Sequence, residues 1–94
     1  MVIGVLKENL QYESRVAVTA NIVKSLISSD HKVTIEKGAG ENSFVSDHEF
    51  SEAGATISEN KNDIYNADII FKVNPPNLDE LNSINEGTSL VTFF

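Results

Sequence analysis

Five short apolar runs punctuate this chain, at residues 2–6, 32–36, 55–57, 68–73 and 88–94, and a stretch with helical spacing or a helix start signal separates most of them. Strands separated in this way cannot pair as tight hairpins. They argue for an α/β fold in which a parallel sheet is flanked by helices and joined by right-handed crossovers. The spacing leaves the strand order open between a flavodoxin-like and a half-Rossmann arrangement.

The local signals define the elements. Val2-Ile3-Gly4-Val5-Leu6 lacks a polar alternation and reads as a strand buried on both faces. Residues 11–18 read as a loop. Thr19 is a candidate helix cap, and Ile22, Val23, Leu26 and Ile27 recur on one helical stripe that Ser28, Ser29 and Asp30 end. Lys32-Val33-Thr34-Ile35-Glu36 alternates as a second strand, and Gly38-Ala39-Gly40 makes a turn. Ser46 followed by Glu49 is a capping box, opening a short helix through Phe50 and Ala53 that should stop at Gly54.

Beyond a weak third strand at residues 55–57, Ser58 is expected to start a helix containing Ile64 and Tyr65. The strand at residues 68–73 is stopped by Pro75 and Pro76. Asn77 and Glu80 form a second capping-box pattern, Leu81 and Ile84 supply a small apolar helical face, and Gly87 ends it. The last strand, through Phe93 and Phe94, carries no turn, cap or polar tail and should leave an apolar sheet edge uncovered. The expectation is a single incomplete α/β domain over residues 1–94, cut within or just after a strand of a longer protein.

Composition excludes several functions. The 94 residues are 40% apolar and hold no stretch near the roughly 20 apolar residues of a spanning helix. Direct membrane insertion is therefore not expected. Fourteen carboxylates against seven Lys and Arg give a net charge of −7, and no basic block is present to neutralise phosphates, which argues against nucleic-acid binding. The chain has no cysteine, so disulfides and thiolate zinc sites are absent, in keeping with a cytoplasmic location. His31 and His48 have no partners at metal-ligand spacing and read as surface residues, so no metal is expected.

A few side chains stand where a parallel sheet places ligands, at the carboxyl ends of its strands. Lys7 and Glu8 follow the first strand and Lys72 lies near the end of the fourth. Arg15 lies between the first strand and the first helix, where a guanidinium either grips a carboxylate or phosphate or makes a surface salt bridge. Lys72 either enters a cleft at the strand end or snorkels from the sheet edge. Together these four residues are candidates to line one cleft as a cationic patch. Gly38-Ala39-Gly40 follows a strand but lacks the full dinucleotide fingerprint, since position 43 is Ser, and reads as a turn.

Several linked motifs carry a family resemblance. Ile3-Gly4-Val5-Leu6-Lys7-Glu8, then Glu13-Ser14-Arg15-Val16-Ala17-Val18-Thr19, resembles the start of the alanine dehydrogenase and nicotinamide nucleotide transhydrogenase family. Glu36-Lys37-Gly38-Ala39-Gly40, Ala53-Gly54-Ala55 and Ile69-Ile70-Phe71-Lys72-Val73-Asn74-Pro75-Pro76 continue the likeness, in order, along essentially the whole chain. Leu6 and Ala20 stand where the family usually has proline. Lys72-Val73-Asn74-Pro75-Pro76 and Gly87-Thr88-Ser89-Leu90-Val91-Thr92-Phe93 look most like the NAD(P) transhydrogenase alpha subunit.

The resemblance implies a parent enzyme that moves a hydride between NAD(H) and NADP(H), coupled to proton movement across a membrane. It implies NAD and NADP as the parent's cofactors and a Rossmann domain for NAD beyond the last residue of this chain. No tight cofactor binding or activity is then expected of the fragment. The implied partners are the rest of the alpha subunit, a beta subunit or membrane domain, and a second copy in a homodimer, at the cytoplasmic face of the inner membrane. In the alanine dehydrogenase relatives, the residues matching Arg15 and Lys72 hold the keto-acid substrate. A fragment of an NAD-dependent alanine dehydrogenase, converting L-alanine to pyruvate and ammonia, is the alternative. A non-enzymatic α/β interaction module is a further one.

Overall fold

The computed structural model describes residues 1–8, 18–40, 45–73, 78–84 and 87–92. Its elements are β1 (Val2–Val5), α1 (Ala20–Ser28), β2 (Lys32–Glu36), α2 (Asp47–Glu52), β3 (Thr56–Ser58), α3 (Lys61–Tyr65), β4 (Ile69–Lys72), α4 (Leu78–Ser83) and β5 (Ser89–Thr92). All four neighbouring strand pairs are parallel, in the order β3-β2-β1-β4-β5. The expected α/β class holds, and of the two orders left open this is the Rossmann one. The chain steps outward from β1 through β2 to β3. It then returns to lay β4 on the other side of β1, so the winding reverses between β1 and β4.

The pleat divides the core in two. Ile3, Val5, Val33 and Ile35 join Val23, Phe50, Ala53 and Ala55 in one buried cluster, with Leu26 and Ile27 of α1 against it. Leu6 and Ile70 join Ile64, Tyr65 and Ala67 in a second, with Val2, Ile84 and Leu90 at its margin. Alternate residues of β1 thus feed opposite faces, which is why its sequence shows no polar alternation. Gly4 belongs to this arrangement: a Cβ there would stand 2.9 Å from Ile64 Cγ2 and 3.0 Å from the Ile64 carbonyl oxygen. The missing side chain lets α3 lie against the central strand.

Two helix starts form as the sequence implies. Thr19 Oγ1 accepts from Ile22 N–H, and Ser46 and Glu49 make the reciprocal capping box. Gly54 ends α2 with φ of 110°, a conformation that favours glycine. Three local expectations change. Ser58 ends β3 instead of starting a helix; its hydroxyl donates to Asp63 Oδ2 at 2.6 Å, while Asn60 caps α3. Ile22 is 46% exposed because α1 centres its stripe on Val23, Leu26 and Ile27.

In α4 the buried residue is Glu80, Ile84 just beyond the helix is half-buried, and Leu81 turns outward at 49% exposure. Among the described residues β5 lies at the sheet edge, paired with β4, and Val91 is exposed there. The expected loop before Val18, the Asn77 cap, Arg15, Phe93 and Phe94 lie outside the described residues.

Candidate functional site at the ends of β1 and β4

Beyond Val5 the β1 backbone leaves the ladder that pairs it with Ile35 and Phe71. Side-chain carboxylates then take over the bonding. Glu36, the last residue of β2, accepts the Lys7 backbone N–H through Oε1 at 2.8 Å, and its Oε2 lies 3.8 Å from Lys61 Nζ. On the other side Glu8 reaches β4. Its Oε1 accepts from Lys72 Nζ at 3.0 Å and its Oε2 accepts from the Val73 backbone N–H at 3.0 Å. Three adjacent strand ends are therefore tied by two carboxylates.

The Glu8–Lys72 pair is nearly dry, with side-chain exposures of 3% and 2%. Withdrawing two such ions from water costs several kcal/mol each, and their attraction offsets this only with good geometry and further hydrogen bonds. The Val73 N–H supplies one such bond. A buried ion pair is thus a poor device for stability alone. Here it sits where the winding reverses, at the carboxyl ends of β1 and β4, the place where open α/β sheets form their ligand crevice.

Lys72 closes an interior strand, and its amine is buried against Glu8 instead of reaching solvent at a sheet edge. Of the four candidates, Glu8 and Lys72 are thereby in direct contact. Among the described residues Glu8 faces the ammonium, so Lys72 alone does not make a cationic patch. Lys7 is half-buried and holds its place through its backbone N–H. Glu36 was legible only as a strand-end residue; that its carboxylate fastens β1 follows from the strand order, which spacing does not reveal.

The glycine turn is occupied internally. Gly38 has φ of 80° and donates its N–H to Asp47 Oδ1 at 2.9 Å, while Ala39 N–H goes to the Glu36 carbonyl at 3.0 Å. Amides spent in this way cannot also cradle a pyrophosphate, so the turn does not fit the nicotinamide dinucleotide. His48 is exposed and pairs with Glu52 at 2.9 Å, while His31 is half-buried rather than on the surface. Among the described residues, no group of three or more His, Asp and Glu side chains gathers to hold a metal. No helix of the described residues is long and apolar enough to cross a membrane.

The family model for the alanine dehydrogenase/PNT N-terminal domain matches residues 4–94. The chain belongs to this family. Its relatives include the NAD(P) transhydrogenase subunit alpha of Haemophilus influenzae, 42% identical over 93 residues, which cover 99% of this chain and 18% of that protein. The alanine dehydrogenase of Methanococcus maripaludis is 40% identical over 94 residues, 99% of this chain and 25% of that enzyme.

Among solved structures, the transhydrogenase of Sinorhizobium meliloti superposes with a TM-score of 0.94 at 32% identity, covering 100% of this chain and 28% of that one. An L-alanine dehydrogenase superposes with a TM-score of 0.93 at 30% identity, covering 98% and 26%. The chain thus spans between 18% and 25% of the length of these curated relatives.

Proposed function

We propose that this chain is the amino-terminal domain of a nicotinamide-nucleotide oxidoreductase of the transhydrogenase alpha type. In that reading it forms one wall of the cleft in which the parent enzyme moves hydride between NAD(H) and NADP(H), coupled to proton movement across a membrane. The observation that carries the reading is the buried Glu8–Lys72 pair at the reversal point of a sheet shared with transhydrogenases. Lys72, Glu8 and Lys7 contribute to the wall, and Arg15 joins them by its place in the family motif. The wall's task is to orient what binds and to keep water from it, since hydride transfer requires donor and acceptor rings in near-contact geometry.

The dinucleotide would be held by a Rossmann domain outside this chain, because the glycine turn here is committed to its own hydrogen bonds. The chain alone is then inactive. Its partners are the remainder of an alpha subunit, a second copy of it, and a beta subunit or membrane domain at the cytoplasmic face of the inner membrane.

A second reading, an NAD-dependent alanine dehydrogenase, is favoured by the 40% identity to the Methanococcus maripaludis enzyme. There Lys72 and Arg15 would face the substrate carboxylate. The two are separated by expressing the complete reading frame and assaying it twice, for hydride exchange between NADH and an NADP+ analogue and for L-alanine-dependent NAD+ reduction. The first activity alone supports the transhydrogenase reading. The second alone replaces it, and neither activity sinks both. Saturable, tight NADH binding by the 94-residue chain would refute the claim that the nucleotide is held elsewhere.

A further inference from the structure

We infer that Glu8 is a positioning residue: it fixes the Lys72 ammonium at the cleft wall by holding the lysine at both its tip and its root. A lysine is a flexible four-carbon stem, and as a directed donor it is only as well placed as the group that restrains it. Glu8 restrains it twice. One carboxylate oxygen accepts from Lys72 Nζ and the other from the Val73 backbone N–H, immediately after the residue that carries the stem, each at 3.0 Å.

Glu8 is itself anchored one residue upstream, where Lys7 N–H donates to the buried Glu36 carboxylate at 2.8 Å. The order of restraint therefore runs from β2 through the end of β1 to β4, across the point where the sheet reverses. An ammonium carries three protons. Glu8 takes one of them and sets the direction of the others.

The chemistry of the clamp is specific to glutamate. Both of its oxygens act as acceptors toward donors. A glutamine would present an NH2 to one of them and lose that contact. Aspartate is one methylene shorter and cannot reach both donors from the same backbone position.

The inference rests on Lys72 lining the proposed cleft, and two measurements separate the two claims. In the 94-residue chain, nitrogen-15 NMR of the lysine ammonium groups should show a slowly exchanging Lys72 signal. Glu8→Gln should accelerate its exchange at least tenfold while the backbone spectrum stays folded. Unchanged exchange in that variant overturns the positioning role.

In the complete parent enzyme, kcat and KM per folded molecule are compared for Glu8→Gln, Lys72→Met and the double variant. A positioning residue acts through the residue it places, so Glu8→Gln should lose on the order of 10²-fold in kcat/KM. The double variant should then be no worse than Lys72→Met alone. Full additivity overturns the inference, as does a wild-type Glu8→Gln enzyme beside an impaired Lys72→Met one. An active parent indifferent to Lys72→Met overturns the cleft reading instead, whatever the NMR shows. If Glu8→Gln fails to fold, the double variant, which removes both members of the buried pair, keeps the comparison possible: less activity per folded molecule than Lys72→Met supplies refutes action through Lys72, and equal activity supports it.

Discussion

Gly40→Ala tests how the glycine turn works. A Cβ at Gly40 would lie 2.5 Å from the Val45 carbonyl oxygen, 2.7 Å from Phe50 Cε2 and 3.0 Å from Val45 Cβ. Carbon contacts settle near 3.5–4.0 Å, so something must move by roughly an ångström. Phe50 has no exposed surface and cannot swing away. Val45 is held by its N–H to the Gly40 carbonyl at 3.0 Å and leads directly into Ser46, the cap of α2.

Overpacking of this kind costs about 1–3 kcal/mol, and a disturbed cap adds part of the ~1 kcal/mol that such a cap contributes. Against this, alanine reduces the freedom of the unfolded chain, worth about 0.4–1 kcal/mol. The net expectation is a loss of about 1–3 kcal/mol, from a total of roughly 5–14 kcal/mol at about 0.05–0.15 kcal/mol per residue.

Urea unfolding followed by circular dichroism should show a lower midpoint at unchanged slope. The melting temperature should fall by about 4–8 °C for each kcal/mol. A midpoint that stays level or rises would mean that the close approach is relieved without cost, and the steric account of Gly40 would be wrong. A further consequence is non-additivity: Ser46→Ala should cost less in the Gly40→Ala background than in the parent sequence.

Ser46→Ala on its own removes the hydroxyl that accepts Glu49 N–H at 3.1 Å, and should lower stability by about 1 kcal/mol in the same urea assay. Glu8→Ala strands the buried Lys72 ammonium and should cost about 3–5 kcal/mol. Glu8→Gln combined with Lys72→Met should recover most of that loss, and a double variant as unstable as Glu8→Ala would contradict the ion-pair account. Burial, with the charges of Glu80, Glu36 and Asp79 adding to it, holds the Tyr65 hydroxyl above the ordinary tyrosine value. A raised folded-state value favours the protonated form, so the associated stability is complete below about pH 10 and falls as pH rises beyond it toward the folded-state value. Tyr65→Phe should remove this part of the alkaline decline, which absorbance titration at 295 nm and pH-dependent melting would detect.

Much of this fold was legible locally. The runs of β-branched residues, the Thr19 and Ser46 caps and the stops at Asp30 and Gly54 depend on neighbours within a few residues, and the observed elements follow them. The exceptions share one cause. Ser58 and Asn60 are both able to cap a helix, but Ser58 is taken into β3 opposite Glu36 of β2, its hydroxyl donates to Asp63, and the cap falls to Asn60. Leu81 looked apolar enough to face the core, but α4 is rotated so that Glu80 is buried, and the helix's own spacing contains no term for that rotation.

The candidate site divides in the same way. That Lys7, Glu8 and Lys72 stand at strand ends is a property of the sequence, since each directly follows or closes an apolar run, and the family motifs can be read in the same residues. That Glu8 and Lys72, 64 residues apart, meet at 3.0 Å depends on β4 returning to the side of β1 opposite β2. Strand order is set by which helices cover which face and how the crossovers pack, and these are long-range choices absent from any local window. The sequence alone determined an alternating α/β chain of this family with charged residues at its strand ends. The tertiary structure decided that Glu8 faces Lys72 as a dry ion pair where the winding of the sheet reverses.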